Sequence, residues 1–292
     1  MVKLTRKTGN ETFLSQSTVR PDPKIFATKQ FRDACVEAHN ALFWTARGAN
    51  SFLGALPQNQ HLSLLWNGNS QDFRTRYFEN QFQIGVNIRE LEIYFCESGV
   101  KVPHSFYFDD RTPAFAEAWY LVELLHRDLD QSKFSTSLPF HSPLMLMGDT
   151  QDHNASFYEL ELAALNDCLM GGMKLLQQMP TLLAPIASIL HQPVKIVLEP
   201  ETFTLEYTVF FSEKTGQRII VGFSIGDLLR PEPFYFIKDI NQNFKPKSRS
   251  LDYRPDSIRP LIKLIENNTS DRDLLDDLCK LTFASVKTAQ GL

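Results

Sequence analysis

The chain has 292 residues, 43% of them apolar and 22% charged, a profile that excludes disordered, fibrous and membrane-spanning classes and fits a globular protein of one or two domains. Its 30 basic and 34 acidic residues leave a net charge of −4, so no overall positive field exists to hold a nucleic-acid backbone or an anionic membrane. Cys35, Cys96, Cys168 and Cys279 lie far apart, which does not read as a disulfide scaffold and points to a reducing, cytoplasmic compartment.

No apolar stretch approaches the roughly 20 residues that span a bilayer. Residues 1–27 carry Lys3, Arg6 and Lys7 with no apolar run behind them, and read as a tail or edge segment with the breaker Pro21-Asp22-Pro23 near its end. A first unit is expected over 28–130. It opens on Phe31, Cys35, Ala38, Leu42 and Phe43, spaced as one face of a helix that Gly48 stops, followed by a short helical turn ending at Pro57. Strand-like runs follow at 62–66, 73–78, 82–88, 91–96 and 105–108, with Asn67-Gly68 as a turn signal. In the fourth run Leu91, Ile93 and Phe95 alternate with Glu92 and Tyr94, the pattern of a sheet with one dry and one wet face. The connections are too short for crossover helices, so the sheet is antiparallel. Thr112-Pro113 then predicts the start of a covering helix that runs to about Asp130.

The Ser- and Pro-rich stretch 131–151 has no sustained period and reads as a linker. A second unit over 152–292 repeats the order: a long helix over 155–178, a short one over 182–191, strands near 194–198, 203–211, 218–225 and 233–237, and helices over 256–267 and 271–287. Set side by side, residues 61–78 and 193–210 occupy equivalent places, which predicts a pseudo-twofold duplication. The fold class is α+β: two similar units, each an antiparallel sheet of about four strands covered by helices.

The order of elements resembles that of an uncharacterised bacterial family of similar length, a domain of unknown function with a duplicated helix-plus-antiparallel-sheet layout. The resemblance rests on a strand ending in Gly-Phe, Ile220-Val221-Gly222-Phe223, and a following Phe-Tyr strand, Pro233-Phe234-Tyr235-Phe236. It covers the order of most of the chain but few identities, and it implies no activity and carries over no functional residue.

Gly222-Phe223-Ser224-Ile225-Gly226 fits the pattern of a nucleophile elbow, a serine held on a strained turn between strand and helix. That fold needs a histidine downstream, none follows His191, and Pro231 cuts short the helix that should come next, so the glycines read as a bend in a strand. Two acidic clusters include histidine: His104 with Asp109 and Asp110, and His141 with Asp149, Asp152 and His153. Imidazole and carboxylate together suit a borderline metal or shared acid and base roles. Helix capping and solvated loops account for them more simply. Gly-rich phosphate loops, dinucleotide fingerprints, His-Glu-x-x-His and Cys-x-x-Cys are all missing. No cofactor is implied and no metal ligand set is assigned.

Basic residues gather over 238–259 (Lys238, Lys245, Lys247, Arg249, Arg254 and Arg259) beside Phe244 and Tyr253, where Asp239, Asp252 and Asp256 dilute them, so a solvated loop is expected rather than a nucleic-acid site. The chain has 23 phenylalanines, and its aromatic strands nominate Trp66, Tyr94, Trp119, Phe234 and Phe236 as the lining of an apolar pocket. The leading expectation is a non-catalytic cytoplasmic protein that binds a protein segment or small apolar ligand. The alternative is a metal-dependent or acid/base hydrolase built on His104, Asp109 and Asp110 or on Asp149, Asp152 and His153, favoured if the two clusters converge in a cleft.

Overall fold

The structure is a computed structural model that describes residues 22–149, 151–183, 196–212, 217–240 and 257–290. The fold is α+β. Strands β1 Leu64–Asn67, β2 Asp72–Arg74, β3 Phe82–Asn87 and β4 Glu92–Glu97 make a meander, with the short β5 Val100–Lys101 and β6 Phe106–Tyr107 both against β4. Strands β7 Val197–Glu199, β8 Thr204–Ser212, β9 Gln217–Ser224, β10 Phe234–Ile240 and β11 Ser257–Pro260 make a second meander. The two meet where β1 runs antiparallel to β7, with Leu64 opposite Leu198 and Leu65 opposite Val197. Instead of two sheets, the described residues therefore form one antiparallel sheet of 11 strands.

The helices are α1 Lys29–Phe52, α2 Pro113–His126, α3 Glu159–Leu176, the single turn α4 Met179–Leu182, α5 Leu261–Glu266 and α6 Asp271–Gln290. Helix α1 packs on β3, α3 on β8 and β9, α6 on β9 and β10, and α1 and α3 pack on each other. One apolar cluster extends from Phe26 to Cys279 and draws residues from both halves of the chain. Burial on that scale is the main stabilising term of the fold.

Several local expectations change, each for a physical reason. Helix α1 does not stop at Gly48 but continues to Phe52, because a Cβ at position 48 would run into Ile84 and Tyr120, and the bare glycine lets sheet and α2 approach. Pro23–Ala27 is a 3₁₀ turn rather than free tail, held by Asp22 at its start and by fully buried Phe26. Residues 257–260, read as helix, form β11, since Pro260 keeps Arg259 extended and the helix begins only at Leu261. Thr112 caps α2 by position alone: its hydroxyl makes no capping bond. The expected wet face of β4 is dry, because Glu92 pairs with Lys101 and the Tyr94 hydroxyl donates to the Asp72 carboxylate, which Arg74 also grips from Nε at 2.9 Å. The expected short helix at 182–191 is described only at 182–183, where α4 ends, and its remainder and most of the basic loop lie outside the described residues.

Two close approaches recur in the halves. Gly85 of β3 stands opposite Tyr94 of β4, and Gly222 of β9 opposite Phe236 of β10; in each case a Cβ would collide with the facing ring. The residues beside those glycines, Ile84 and Phe223, are in turn the ones that press on Gly48 of α1 and Gly172 of α3.

The stretch read as a linker is a strap laid along α1. The Asn40 side chain donates to Leu144 O at 3.0 Å and accepts from Leu146 N at 2.8 Å. Two helical turns further along, Arg47 Nε donates to Thr136 O at 2.8 Å, Asn50 to Ser137 O at 3.1 Å, and Ser51 Oγ accepts from Ser135 N at 2.9 Å. Positions 40, 47, 50 and 51 share one face of the helix, so its polar stripe is covered by chain rather than by water.

Candidate functional site

Between its two anchor points the strap bows away from α1, while Phe140 turns back to pack on Phe43 with Leu138 and Met145 against the same cluster. The bow is one wall of an open groove of about 1240 Å³. The floor is a stripe of α1, Arg32, Cys35, Val36 and His39, at the three- and four-residue spacing of a single helix face. Facing it are Phe203, at the turn into β8, and the loop after β9.

That loop is closed by its own hydrogen bonds. Ser224 Oγ accepts from Gly226 N at 3.1 Å, and Gly226 takes φ +125°, which only glycine adopts without strain. The Asp227 carboxylate then accepts from Leu229 N at 2.8 Å, from Arg230 N at 2.6 Å and from the Arg230 guanidinium at 2.6 Å, while Asp227 N donates to Arg230 O at 2.6 Å. Leu228 and Leu229 stand at the tip of the turn so closed, 81% and 78% exposed. They are two large apolar side chains left in water on the rim of the groove.

His39 contributes the polar feature of the floor. Its Nε2 lies 2.7 Å from Pro200 O, so this nitrogen carries the proton, and the ring sits 4.2 Å from Phe43 and 5.3 Å from Phe203. Burial drives its pKa down to about 4, against a smaller upward push from the Pro200 carbonyl, and leaves the imidazole neutral near pH 7. Burial also holds the thiols of Cys35, Cys96, Cys168 and Cys279 above the ordinary cysteine range, and all four are unpaired. None is activated as a nucleophile.

The residues nominated from the sequence occupy other places. Asp109 and His153 do come together: their strands of backbone bridge in parallel, with Asp110 N donating to His153 O and His153 N to Arg111 O, both at 3.0 Å. At this junction His153 is buried, Asp109 half-buried and Asp110 and Arg111 exposed. The His153 ring is fully buried, its Nδ1 bonded to Glu37 and its edge against Phe108 at 4.9 Å, and Asp109 accepts from Ser156 N at 2.8 Å as a cap. His104, Asp110, Asp149 and Asp152 are exposed, as is His141, which lies on the groove wall. Among the described residues no three His, Cys, Asp or Glu side chains gather as a metal site. Ser224, the would-be nucleophile, is buried and spends its hydroxyl on Gly226.

The aromatic candidates do not meet in one pocket. Trp66 packs on Phe73 at 5.1 Å, Tyr94 lies under Lys101, Trp119 Nε1 donates to His104 O at 2.8 Å, and Phe234 and Phe236 form a small cluster with Ile220. Of the basic group, Arg259 is paired with Asp277 at 2.6 Å. Sequence reasoning missed the groove because its floor, Arg-Cys-Val-His at 32, 35, 36 and 39, is too mixed to read as an apolar stripe. The available signal was Leu228-Leu229 set between Gly226 and Pro231, two large apolar residues where a turn was due.

No described helix is long and apolar enough to cross a membrane. Comparison with known proteins found no matching family model, no similar curated protein and no similar solved structure.

Proposed function

We propose that the chain is a non-catalytic binding protein that takes an extended apolar segment of a partner protein into the groove between α1, the strap and the Leu228-Leu229 turn. The observation that carries the reading is the turn itself: a hydrogen-bonded loop whose whole construction ends in two exposed leucines. Such pre-organisation lowers the entropy cost of binding. The groove is open, and at about 1240 Å³ it exceeds the roughly 300–1,000 Å³ of small-molecule pockets, which favours a segment of chain over a compact ligand. The free cysteines support a reducing, cytoplasmic setting.

The test is to pan a random peptide library against the protein with counter-selection on Leu228→Ser/Leu229→Ser. Apolar peptides that bind the parent and lose about tenfold or more in affinity on the variant are expected, since each buried leucine is worth roughly 1.5–3 kcal/mol. Enrichment of no sequence, or of sequences indifferent to the two serines, removes the proposal.

We further infer that the two halves descend from one duplicated helix-and-meander unit. Support comes from the matched pairs already described: a helix glycine pressed by a strand residue, beside a strand glycine covered by the next strand's ring, at Gly48, Ile84, Gly85 and Tyr94 and again at Gly172, Phe223, Gly222 and Phe236. An antiparallel join of β1 to β7 is also what a twofold axis between the halves requires.

A further inference from the structure

Arg47 is an unusual cation. It is 1% exposed, lies over the Trp44 ring at 4.2 Å and donates from Nε to Thr136 O, but Nη1 has no hydrogen-bond partner. Its Nη2 faces the Met147 sulfur at 3.9 Å, and a thioether is a poor acceptor. Burying a guanidinium with donors unsatisfied is costly, and burial pulls its pKa down to about 10. Met147 meanwhile is 64% exposed at the end of the strap, whereas Met145 and Met170 are half-buried and Met173 and Met179 are buried.

We propose that Met147 is a site of oxidation to the sulfoxide, and that the Arg47 guanidinium is the built-in acceptor site for the new oxygen, so that oxidation fastens the strap to α1. The oxidant is a hydroperoxide. The thioether sulfur donates a lone pair to the terminal peroxide oxygen; an S–O bond forms as the O–O bond breaks, and the departing oxygen keeps the bonding pair and takes up the proton that the transferred hydroxyl gives up, leaving as alcohol or water. Sulfur loses two electrons and the peroxide gains them. A sulfoxide oxygen is a strong acceptor, and an atom added to that sulfur toward Nη2 falls inside hydrogen-bond range. Oxidised methionines usually disrupt the cores they sit in. Here the Met147 side chain is largely exposed and is no part of a core, and the oxygen meets an under-used, fixed cation, so the sign reverses. The strap's outer anchor is tightened on the same helix that floors the groove, though the proposal does not rest on the groove being occupied.

The experiment treats the full chain with hydrogen peroxide, maps sulfoxide at each methionine by peptide mass spectrometry, and follows amide hydrogen exchange across 136–147. Met147 is expected to oxidise about tenfold faster than buried Met173 and Met179, and exchange over the strap to slow severalfold, on the order of the gain of one charge-assisted hydrogen bond. Met147→Gln, which places a carbonyl oxygen at the same reach, should slow exchange without peroxide, and Met147→Leu should not respond to it. Arg47→Gln should still oxidise at Met147 and lose the protection; the two Met147 variants carry the test alone if that buried change impairs folding. Oxidation of Met147 no faster than of the buried methionines, or strap exchange that is unchanged or faster in the oxidised protein and in Met147→Gln, overturns the proposal.

Discussion

His39 shows how one residue couples the groove to stability. Its folded pKa of about 4 lies below the ordinary 6.5, so between those values the folded state binds fewer protons than the unfolded one. The stability it supports is complete above pH 6.5 and is lost as the pH falls toward 4, by as much as about 3 kcal/mol. Urea titrations at a series of pH values should therefore show a steeper acid decline for the parent than for His39→Gln, which keeps a donor for Pro200 O but does not titrate. Equal slopes for the two would mean that the burial of the ring is not what governs its protonation. Tyr94 and Asp72 face a side that alternation alone assigns to water, and they remain there because each finds its partner.

At the scale of elements, the strap and α1 are one construction. Asn40 is 1% exposed and bonds the strap at both Leu144 and Leu146, so Asn40→Ala should cost about 1–3 kcal/mol and leave two backbone groups of the strap without partners. The loss should appear in the denaturant midpoint and as faster amide exchange over 144–146. An unchanged midpoint with unchanged exchange would show that Phe140 packing alone holds the strap down. The opposite wall works differently, since the Asp227 turn is closed by its own residues and needs no other element. A groove with one wall tied across to the helix floor and one wall self-supporting holds its shape before any occupant arrives.

Across the whole molecule, the β1–β7 pairing and the α1–α3 packing join the halves through sheet and core at once. One apolar cluster serves both. Calorimetry is accordingly expected to give a single cooperative transition, with the calorimetric and van't Hoff enthalpies equal. Two resolved transitions would mean that each meander, with its helices, is stable without the other. The groove lies at this junction, between α1 of the first half, the strap, and the β7–β8 turn and β9 loop of the second. Neither half contains it alone.

Periodicity was enough to read the α+β class, the two meanders and most of the helices, because side-chain burial on a helix or a strand repeats at 3.6 or 2 residues and leaves its trace in local order. The Asn67-Gly68 turn and the start of α2 at Pro113 were legible for the same reason: they are set by residues next to one another. What depended on residues far apart in the chain was not legible. Gly48 read as a stop until Ile84 and Tyr120 were seen to need its missing Cβ, and 131–151 read as a linker because the side chains that hold it belong to α1, some hundred residues earlier for Asn40 and Leu144. The pairing of β1 with β7 and the groove walls are of that kind too. Local sequence determined which elements form; only the tertiary structure decided which polar stripe is covered, which leucines stay in water, and where an apolar groove is left open between them.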